Sequence, residues 1–493
     1  MELQFQKTQL PCLHTLLYNR ETQEQTQEIR ISDGMPDIGS ILGTWGQVIL
    51  RGKEWQSDTL TVSGGTMVWV QYIPEEGGAP QSVEAWIPFQ MRWNIPPTQH
   101  DGVMLVQCML KSVDARSTSA RKLMLRSNIS CLIHGMQRCQ KELYRPGELP
   151  ADVQLHKVSY PILLPSEAGE KAFSLEESFP LQSPMPTRII ANSLQPHITE
   201  KRIMGDKLVF RGIGHLHVLL ETESGTQETM DLELPFSQYS ELDQSYDEDA
   251  TAILWPAVTS LETELTENGL RVHTGMAVQY VIRHRPLIQL VDDAYSPKRP
   301  LEFQLGEVNL PGILESKVTA LHCQTTANVD DFRAVDVQML PQPITCQQDQ
   351  LCLPVHFQTL CRDISGDYHT HTEKWEETIP IPTGDNVRLQ SSLWPIGKPQ
   401  ASMISGNLQI QADLELHTDA VLDADIPMIT GLSLGEIQPY DANRPSIILR
   451  RAGERSLWQL AKESGSTVDD IMRVNHLQEE PKQDQMLLIP VKG

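Results

Sequence analysis

A β-rich stretch recurs three times along the chain, and this repeat constrains the fold more than any other feature. Its first copy covers residues 58–89 and reads DTLTVSGGTMVWVQYIPEEGGAPQSVEAWIPF. Apolar residues alternate with small or polar ones, as in half-buried strands, and the central Glu-Glu-Gly-Gly run indicates a turn. A second copy begins at Asp206 and a third at Asp349. The repeat predicts strand meanders, each closed by a proline that cannot donate to a β ladder.

The copies also align in their details. Gly212 of the second copy corresponds to Gly64 of the first. The closing Ile87-Pro88-Phe89 corresponds to Leu234-Pro235-Phe236, and in the third copy to Ile379-Pro380-Ile381. Internal similarity of this kind indicates repeated structural units. The alternative interpretation is that any all-β chain contains a strand, a turn and a proline at such a spacing.

A chain of 493 residues is longer than one hydrophobic core usually serves, so several domains are expected. We expect a mainly β fold, with three tandem β-rich domains followed by a small βααβ domain. The expected boundaries are 1–147, which includes a polar lead-in, then 148–296, 297–440 and 446–493. Hydrophobic residues make up 40% of the chain, which is enough to build packed cores.

The balance of charge argues against two classes of partner. There are 64 acidic and 40 basic residues, and the formal net charge is −24. Such a surface repels phosphate backbones and is poorly suited to anionic lipid, so we expect no nucleic acid partner. We see no secretory signal and no apolar run long enough for a transmembrane segment. A cytosolic location is therefore expected.

Eight cysteines occur, and none forms a CxxC pair. Cys346, Cys352 and Cys361 lie closest together, but they have neither zinc-finger spacing nor a histidine pair at ligand spacing. Free buried thiols in a reducing compartment are the expected state, and no cofactor is expected.

Few residues suggest chemistry, and we expect no enzymatic activity. His215 and His217 lie two apart on one face of a predicted strand, as do His369 and His371. Either pair could ligate a metal, but histidines at the surface or between strands are the simpler interpretation. The acidic run at 241–249 could bind a cation, although a solvated loop explains it as well.

Tryptophan is concentrated in the first repeat. Core packing is the simplest role for these side chains, and an aromatic contact patch for a partner is the alternative. The residues concerned are Trp45, Trp55, Trp69, Trp86 and Trp93.

From Ile447 onward the pattern changes to the order β-α-α-β. Ser456 with Gln459 forms a capping box, which predicts a helix start, and Gly465 predicts the end of that helix. The run MLLIP at 486–490 predicts a closing strand.

A second helix is predicted directly after Gly465. Ser466 with Asp469 resembles the capping pattern of the first helix, and Asn475 marks the end. Val468 and Ile471 supply its buried face by their spacing.

This C-terminal module resembles a LysM domain. The family's glycine turn, helix one, helix two, N-x-L element and terminal LxIP correspond to residues 453–458, 460–461, 468–471, 475–477 and 487–490. The turn is one residue longer than the family's Gly-Asp-Thr. In the family, this turn and the loop before the last strand form a groove for N-acetylglucosamine polymers. The resemblance implies a groove or partner-binding surface at Gly453, Glu454, Arg455, Ser456, Leu457, Trp458, Asn475, Leu477 and Gln485.

The three upstream units are similar to the SPOCS domain of spore-forming Firmicutes. The similarity rests on Pro36-Asp37-Ile38, on the L-x-V-x-G pattern at 60–64 and on Ile87-Pro88-Phe89. SPOCS repeats followed by one LysM domain resemble clostridial spore-coat morphogenetic proteins. The resemblance implies a mother-cell cytoplasmic protein at the forespore surface, whose LysM domain contacts a coat-scaffold ATPase or another coat protein.

Three functions remain to be distinguished. The first is a non-enzymatic protein that assembles the spore coat through protein contacts. The second is a cell-wall or cortex protein whose LysM domain holds peptidoglycan or another N-acetylglucosamine polymer. The third, an enzyme with a carbohydrate anchor, lacks a catalytic motif. The many edge strands also allow self-association.

Overall fold

The computed structural model describes residues 2–3, 5–97, 102–181, 186–223, 225–267, 269–328, 332–347, 349–381, 386–404, 406–439 and 445–491. Within these ranges the chain is mainly β, as predicted, with two short helices near the C-terminus. All of the described pairings between named strands are antiparallel.

The first segment forms two three-stranded sheets. Its strands are β1 (Glu2–Leu3), β2 (Phe5–Arg30), β3 (Ile38–Gln56), β4 (Thr59–Pro74), β5 (Gln81–Asn94), β6 (Gly102–Ser119) and β7 (Lys122–Pro146). One sheet has the order β2-β7-β6 and the other the order β3-β4-β5. The first long strand therefore pairs with the last, and a meander lies between them.

The second segment repeats this order. Its strands are β8 (Gln154–Tyr160), β9 (Leu164–Pro180), β10 (Pro186–Thr222), β11 (Gln227–Tyr246), β12 (Thr251–Thr266), β13 (Gly269–His284) and β14 (Ile288–Tyr295). Strands β12, β13 and β9 form one sheet, and β8 pairs with β14. Strand β10 pairs with β11 and reverses at Gly205, whose φ is +64°, so that Arg211 reaches Glu200.

The third segment follows the same order again. Its strands are β15 (Leu301–Asn328), β16 (Phe332–Pro341), β17 (Thr345–Gln347), β18 (Gln350–Asp363), β19 (Tyr368–Pro380), β20 (Arg388–Ile404) and β21 (Asn407–Leu434). Strand β21 pairs with both β15 and β20, while β18 pairs with β16, β17 and β19. The short strand β1 pairs with β21, so the start of the chain reaches the third segment.

Each segment has an apolar core to which both of its sheets contribute. In the first segment, Leu60 and Phe89 of the meander pack with Val106 and Ile129 of the other sheet. The corresponding clusters of the second and third segments are centred on Phe210 and Phe357 and likewise draw on both sheets.

The structure places the first two repeats in one register. Gly64 lies opposite Phe89, and Gly212 lies opposite Phe236. The prediction that the proline closes each meander is wrong, since β5 and β11 continue beyond their prolines. Pro88 is tolerated because β5 is an edge strand of its sheet, where a missing N–H leaves no ladder bond unmade.

The predicted alignment of the third repeat is also wrong. Leu351 is the counterpart of Leu60, and it pairs with Ile379, whereas Leu60 pairs with Trp93. Ile379 therefore corresponds to Trp93 and not to Ile87. Ile381 donates its N–H to the Asp349 carbonyl, as Ile95 does to that of Asp58. The third hairpin is shorter than the first, so its proline reaches a different point of the ladder.

The C-terminal module consists of β22 (Ile447–Arg451), α1 (Leu457–Ser464), α2 (Val468–Asn475) and β23 (Met486–Pro490). The predicted capping box of α1 is confirmed: the Ser456 side chain accepts from Gln459 N, and the Gln459 side chain accepts from Ser456 N. The left-handed cap at Gly465, with a φ of +64°, is also as predicted.

The predicted start of α2 is wrong by one residue. Thr467 caps the helix and accepts from Asp470 N, whereas Ser466 and Asp469 do not form the cap. Ser466 is buried, and its carbonyl oxygen accepts a hydrogen bond from the Tyr295 hydroxyl of β14. A tertiary contact therefore fixes Ser466 and shifts the cap to the next residue.

Gly212, which corresponds to Gly64 of the first repeat, provides a test of the fold. A Cβ added at Gly212 would overlap the His197 carbonyl oxygen and the Phe236 ring, whereas one added at Gly34 would meet nothing within 4 Å. We expect Gly212→Ala to destabilise the protein by about 2 kcal/mol, because overpacking forces backbone or rotamer shifts. Gly34→Ala is the control and should leave thermal unfolding unchanged. Equal unfolding midpoints for the two variants would contradict this packing.

Candidate functional site

Two loops of the C-terminal module lie side by side. Ala452 N donates to the Gln485 carbonyl, and Gly453 N donates to that of Gln483, both at 2.9 Å. The Glu480 carboxylate accepts from Leu457 N at 3.0 Å, at the first turn of α1. The turn at 453–456 is thus bridged to the loop before β23, and a carboxylate from that loop occupies the helix N-terminus.

Most of the candidate residues in the turn support the local fold. Gly453 adopts a φ of +62°, which favours glycine, Ser456 caps α1, and Leu457 is buried in the core of the module. Glu454 and Arg455 are exposed, and the Arg455 guanidinium donates to Glu463 on α1 at 3.0 Å. Glu454 and Arg455 are the exposed residues of this turn.

The other candidates are likewise used within the module. Asn475 Nδ2 donates to the carbonyls of Ile471 and Leu488, and its Oδ1 accepts from Leu488 N. Leu477 packs against the module core, and Gln485 Oε1 accepts from Lys482 N. These contacts tie α2 to β23 and fix the loop between them.

Trp458 attaches the module to the second segment. Its indole Nε1 donates to Asp293 Oδ2 on β14 at 2.8 Å. Its ring lies 4.8 Å from that of Tyr295 and 5.1 Å from that of His156, centroid to centroid. Lys462 also donates to Asp293. The LysM resemblance implies that Trp458 belongs to a binding surface, and in the structure it is half-buried in this junction.

An apolar surface that the sequence pattern was not taken to predict lies on the outer face of the β22–β23 sheet. Two short helices can cover only one face of a two-stranded sheet, and Leu487 and Ile489 occupy that inner face. The outward side chains are Ile447, Leu449, Met486 and Leu488, which are 55%, 59%, 52% and 43% exposed. The sequence contains a signal for this face, because β23 is apolar throughout and β22 begins with three consecutive apolar residues instead of an alternating pattern.

The histidine pairs do not form metal sites in the structure. His217 Nδ1 lies 2.7 Å from Asp231, and His369 Nε2 lies 3.1 Å from Asp363. Burial lowers the pKa of His215. Among the residues that the structure describes, no group of three His, Cys, Asp or Glu side chains could hold a metal ion.

The acidic run at 241–249 is only partly a loop. Residues 241–246 continue β11, and within them Leu242 and Tyr246 are buried. The tryptophans of the first segment are similarly used inside the protein: Trp45 and Trp69 pack with Ile190 of the second segment and Leu360 of the third. An exposed aromatic patch is therefore not formed by Trp45 or Trp69.

Asp336 joins all three segments. Its side chain is almost fully buried, accepts from Trp45 Nε1 at 2.8 Å, and lies 2.9 Å from His217 Nε2 and 3.5 Å from Lys398 Nζ. Burial raises the pKa of Asp336, but His217, Lys398 and Trp45 outweigh it and hold the pKa well below its usual range. Burial lowers the pKa of His217, yet the Asp336 and Asp231 carboxylates raise it above the ordinary value.

A cavity of about 180 Å³ lies beside this junction. Strands of all three segments line it, with Trp45, His217, Asp336 and Lys398 among its polar and aromatic side chains. Its walls also include prolines and aliphatic residues, so the cavity combines apolar surface with the charged side chains of Asp336 and Lys398.

Comparison with known proteins adds no assignment: no family model, curated protein or solved structure matches the chain. Neither helix in the described part of the chain is long and apolar enough to cross a membrane.

The attachment of the C-terminal module can be tested at Asp293. Asp293→Ala removes the acceptor for Trp458 and Lys462, so we expect amide hydrogen exchange in β14 and α1 to become roughly tenfold faster. Asp247→Ala, which changes an exposed carboxylate of the second segment, is the control. Unchanged exchange in both variants would contradict a module held by this contact.

The same contact should depend on pH. Burial raises the pKa of Asp293, but hydrogen bonds from Lys462 and Trp458 lower it below the usual 3.8. A carboxyl group whose pKa is lowered by folding stabilises the folded form above its unfolded pKa. Attachment should therefore be complete above pH 3.8 and weaken as pH falls through the lower, folded-state pKa. Exchange in β14 measured across this range checks the direction.

The Asp336 junction gives a second pH prediction. Asp336→Asn should lower stability by about 3 kcal/mol, because buried His217 and Lys398 then keep only the more exposed carboxylate of Asp231. Because folding lowers the pKa of Asp336, this carboxylate stabilises the folded protein above its unfolded pKa of 3.8. Because folding raises the pKa of His217, this histidine stabilises the folded protein below its unfolded pKa of 6.5, and the stabilisation is lost as pH rises through the folded-state pKa. The difference in stability between the wild type and Asp336→Asn should be largest between about pH 4 and 6.5.

Thermal unfolding of both proteins across this pH range measures the effect. The matched control is Asp413→Asn, which removes the carboxylate of an exposed pair with His322 at 2.8 Å. Exposed pairs contribute little, so this variant should unfold like the wild type. If the difference in stability between the wild type and Asp336→Asn does not vary with pH, that result contradicts a role for His217.

Proposed function

We propose that the chain is a non-enzymatic assembly protein of the spore coat, in which three tandem SPOCS-like domains carry a LysM-like domain that binds a protein partner. The resemblances in sequence suggest this setting and a coat-scaffold ATPase or another coat protein as the partner. Attachment of coat material at the forespore surface would then be the biological role.

The outer face of the β22–β23 sheet is the observation on which the proposal rests. Four aliphatic side chains of this face are each between 43% and 59% exposed, next to Arg451 on the same strand. Contiguous apolar surface with a polar rim is typical of protein contact sites. Asn475 bonds to Leu488 N and to the Leu488 carbonyl on β23, so β22 is the strand to whose edge a partner strand could add.

The three β segments suit the role of a support. Arg283 of the second segment and Asp419 of the third form a buried two-point ion pair, with Nη1–Oδ1 and Nη2–Oδ2 distances of 2.9 and 2.5 Å. The Gln107 amide of the first segment donates to the Leu393 carbonyl of the third at 2.8 Å. Buried contacts between segments favour a single body that holds the C-terminal module in a fixed position.

Peptidoglycan or another N-acetylglucosamine polymer is the alternative ligand. By the LysM resemblance, the adjacent loops at 453–457 and 479–485 would correspond to the family's glycan groove. Two features weigh against it: Glu480 already accepts from Leu457 N, and Trp458, the only aromatic residue of the module, packs on β14. An aromatic ring is a favourable surface for the apolar face of a sugar, and here that ring is used internally.

The test uses the full chain. We expect Leu449→Glu with Leu488→Glu to weaken binding to a purified coat-scaffold ATPase at least tenfold, because two charges then replace the apolar contact surface. Leu305→Glu, at a side chain of the third segment that is 62% exposed, is the matched control and should bind like the wild type. Calorimetric titration gives the affinities, and circular dichroism verifies the fold.

Peptidoglycan sedimentation distinguishes the two ligands. Under the proposal, the wild type does not sediment with purified peptidoglycan. If it sediments saturably, loses this property in Glu454→Ala with Arg455→Ala, and binds no coat protein, the glycan alternative replaces the proposal.

A further inference from the structure

Two pairs of cysteines face each other across neighbouring strands of the β2-β7-β6 sheet. Cys12 on β2 and Cys139 on β7 are register partners, and their Sγ atoms lie 3.1 Å apart. Cys108 on β6 and Cys131 on β7 are also register partners with a separation of 3.1 Å. All four thiols are free. The sequence does not reveal either pair, because the members of the first lie 127 positions apart.

The backbone already satisfies the requirements of a disulfide at both positions. Directly opposed residues of antiparallel strands have Cα atoms about 4.5–5.5 Å apart, within the range of about 4.4–6.8 Å that disulfides span. Each pair of sulfur atoms is close enough for a bond to form by a small rotation of the side chains. No displacement of β2, β6 or β7 is required.

The two pairs differ in their surroundings. Cys139 is partly exposed, and a hydrogen bond from the Cys12 thiol lowers the pKa of Cys139 to about 7, assisted by the Lys141 ammonium. The same hydrogen bond, with burial, raises the pKa of Cys12. In the second pair, burial raises the pKa of Cys131 well above its ordinary value. A partly exposed thiolate is the reactive form of cysteine, so the first pair is better placed to react.

We propose that Cys12 and Cys139 form a redox-active dithiol that closes to a cross-strand disulfide when it meets a low-molecular-weight disulfide such as oxidised glutathione. The Cys139 thiolate attacks one sulfur of glutathione disulfide, whose S–S bond breaks and releases one glutathione thiolate. Cys12 gives up its proton to the released glutathione thiolate and attacks Cys139 Sγ, and the mixed disulfide breaks to release the second glutathione. The two protein thiols are oxidised, and one glutathione disulfide is reduced to two glutathione molecules.

Closure would join the two ends of the first segment covalently. Strand β2 follows directly on β1, which pairs with β21, so the bond would also fix the strand that leads to the third segment. A reducing compartment keeps the pair open, and an oxidising one closes it. The inference does not depend on the proposed function.

The experiment exposes the folded, reduced, full-length protein to oxidised glutathione and then blocks the remaining thiols with iodoacetamide. We expect a proteolytic peptide pair joined through Cys12 and Cys139, formed before any link between Cys108 and Cys131. The denatured protein should migrate faster on a non-reducing gel, because the bond closes a long loop. Thermal unfolding should shift upward by several degrees, reversibly with dithiothreitol.

Matched variants and pH make the assignment specific. Cys139→Ser should abolish the fast-migrating form, while Cys346→Ser, at an exposed cysteine of the third segment, should retain it. The rate of closure should rise with pH with a midpoint near the Cys139 pKa of about 7. Should Cys139→Ser fail to fold, the peptide map of the wild type decides alone.

Three results would overturn the proposal. The first is a folded protein that acquires glutathione on Cys139 but never the intramolecular bond. The second is linkage that appears only after denaturation. The third is closure of Cys108 and Cys131 before Cys12 and Cys139, which would contradict the greater reactivity expected of the Cys139 thiolate.

Discussion

Polar side chains that bond to the edges of neighbouring sheets hold the β segments together. Gln279 of the second segment both donates to the Val106 carbonyl and accepts from Val106 N, each at 2.8 Å, so its amide completes the open edge of β6. An unpaired strand edge buried at the interface between two segments would leave backbone N–H and C=O groups without partners, which is energetically unfavourable. The first segment thus depends on the second to satisfy the edge of β6 at Val106, and this interface is specific rather than simply apolar.

This constraint explains where the charged residues of the interior lie. Arg283 with Asp419 and His217 with Asp336 are buried pairs that cross between segments. A buried charge pair contributes little net stability relative to an apolar contact, but breaking it is strongly unfavourable. Such pairs therefore penalise any other arrangement of the segments, and they give a mainly β chain with many edges one preferred assembly.

The sequence predicted features that depend on local pattern. Period-2 alternation located the strands of the first two repeats, and Ser456 with Gln459 marked the start of α1 because a capping box involves only four consecutive residues. Prediction from the sequence failed where a residue far away in the sequence determines the local structure. The Tyr295 hydroxyl fixes Ser466 and moves the cap of α2, and the shorter third hairpin changes the register at Ile379.

The candidate site shows the same division. The pattern around Trp458 correctly indicated a turn and a helix, but nothing near it in sequence shows that Asp293 accepts its indole N–H. Of the nine residues that the LysM resemblance implies, seven support the fold of the module or its attachment, and the exposed Arg455 still pairs with Glu463 on α1. The outer face of the β22–β23 sheet has no comparable internal use among the described residues. Its four aliphatic side chains gain nothing from the fold that polar residues would not supply, and this is the physical reason to look for recognition there.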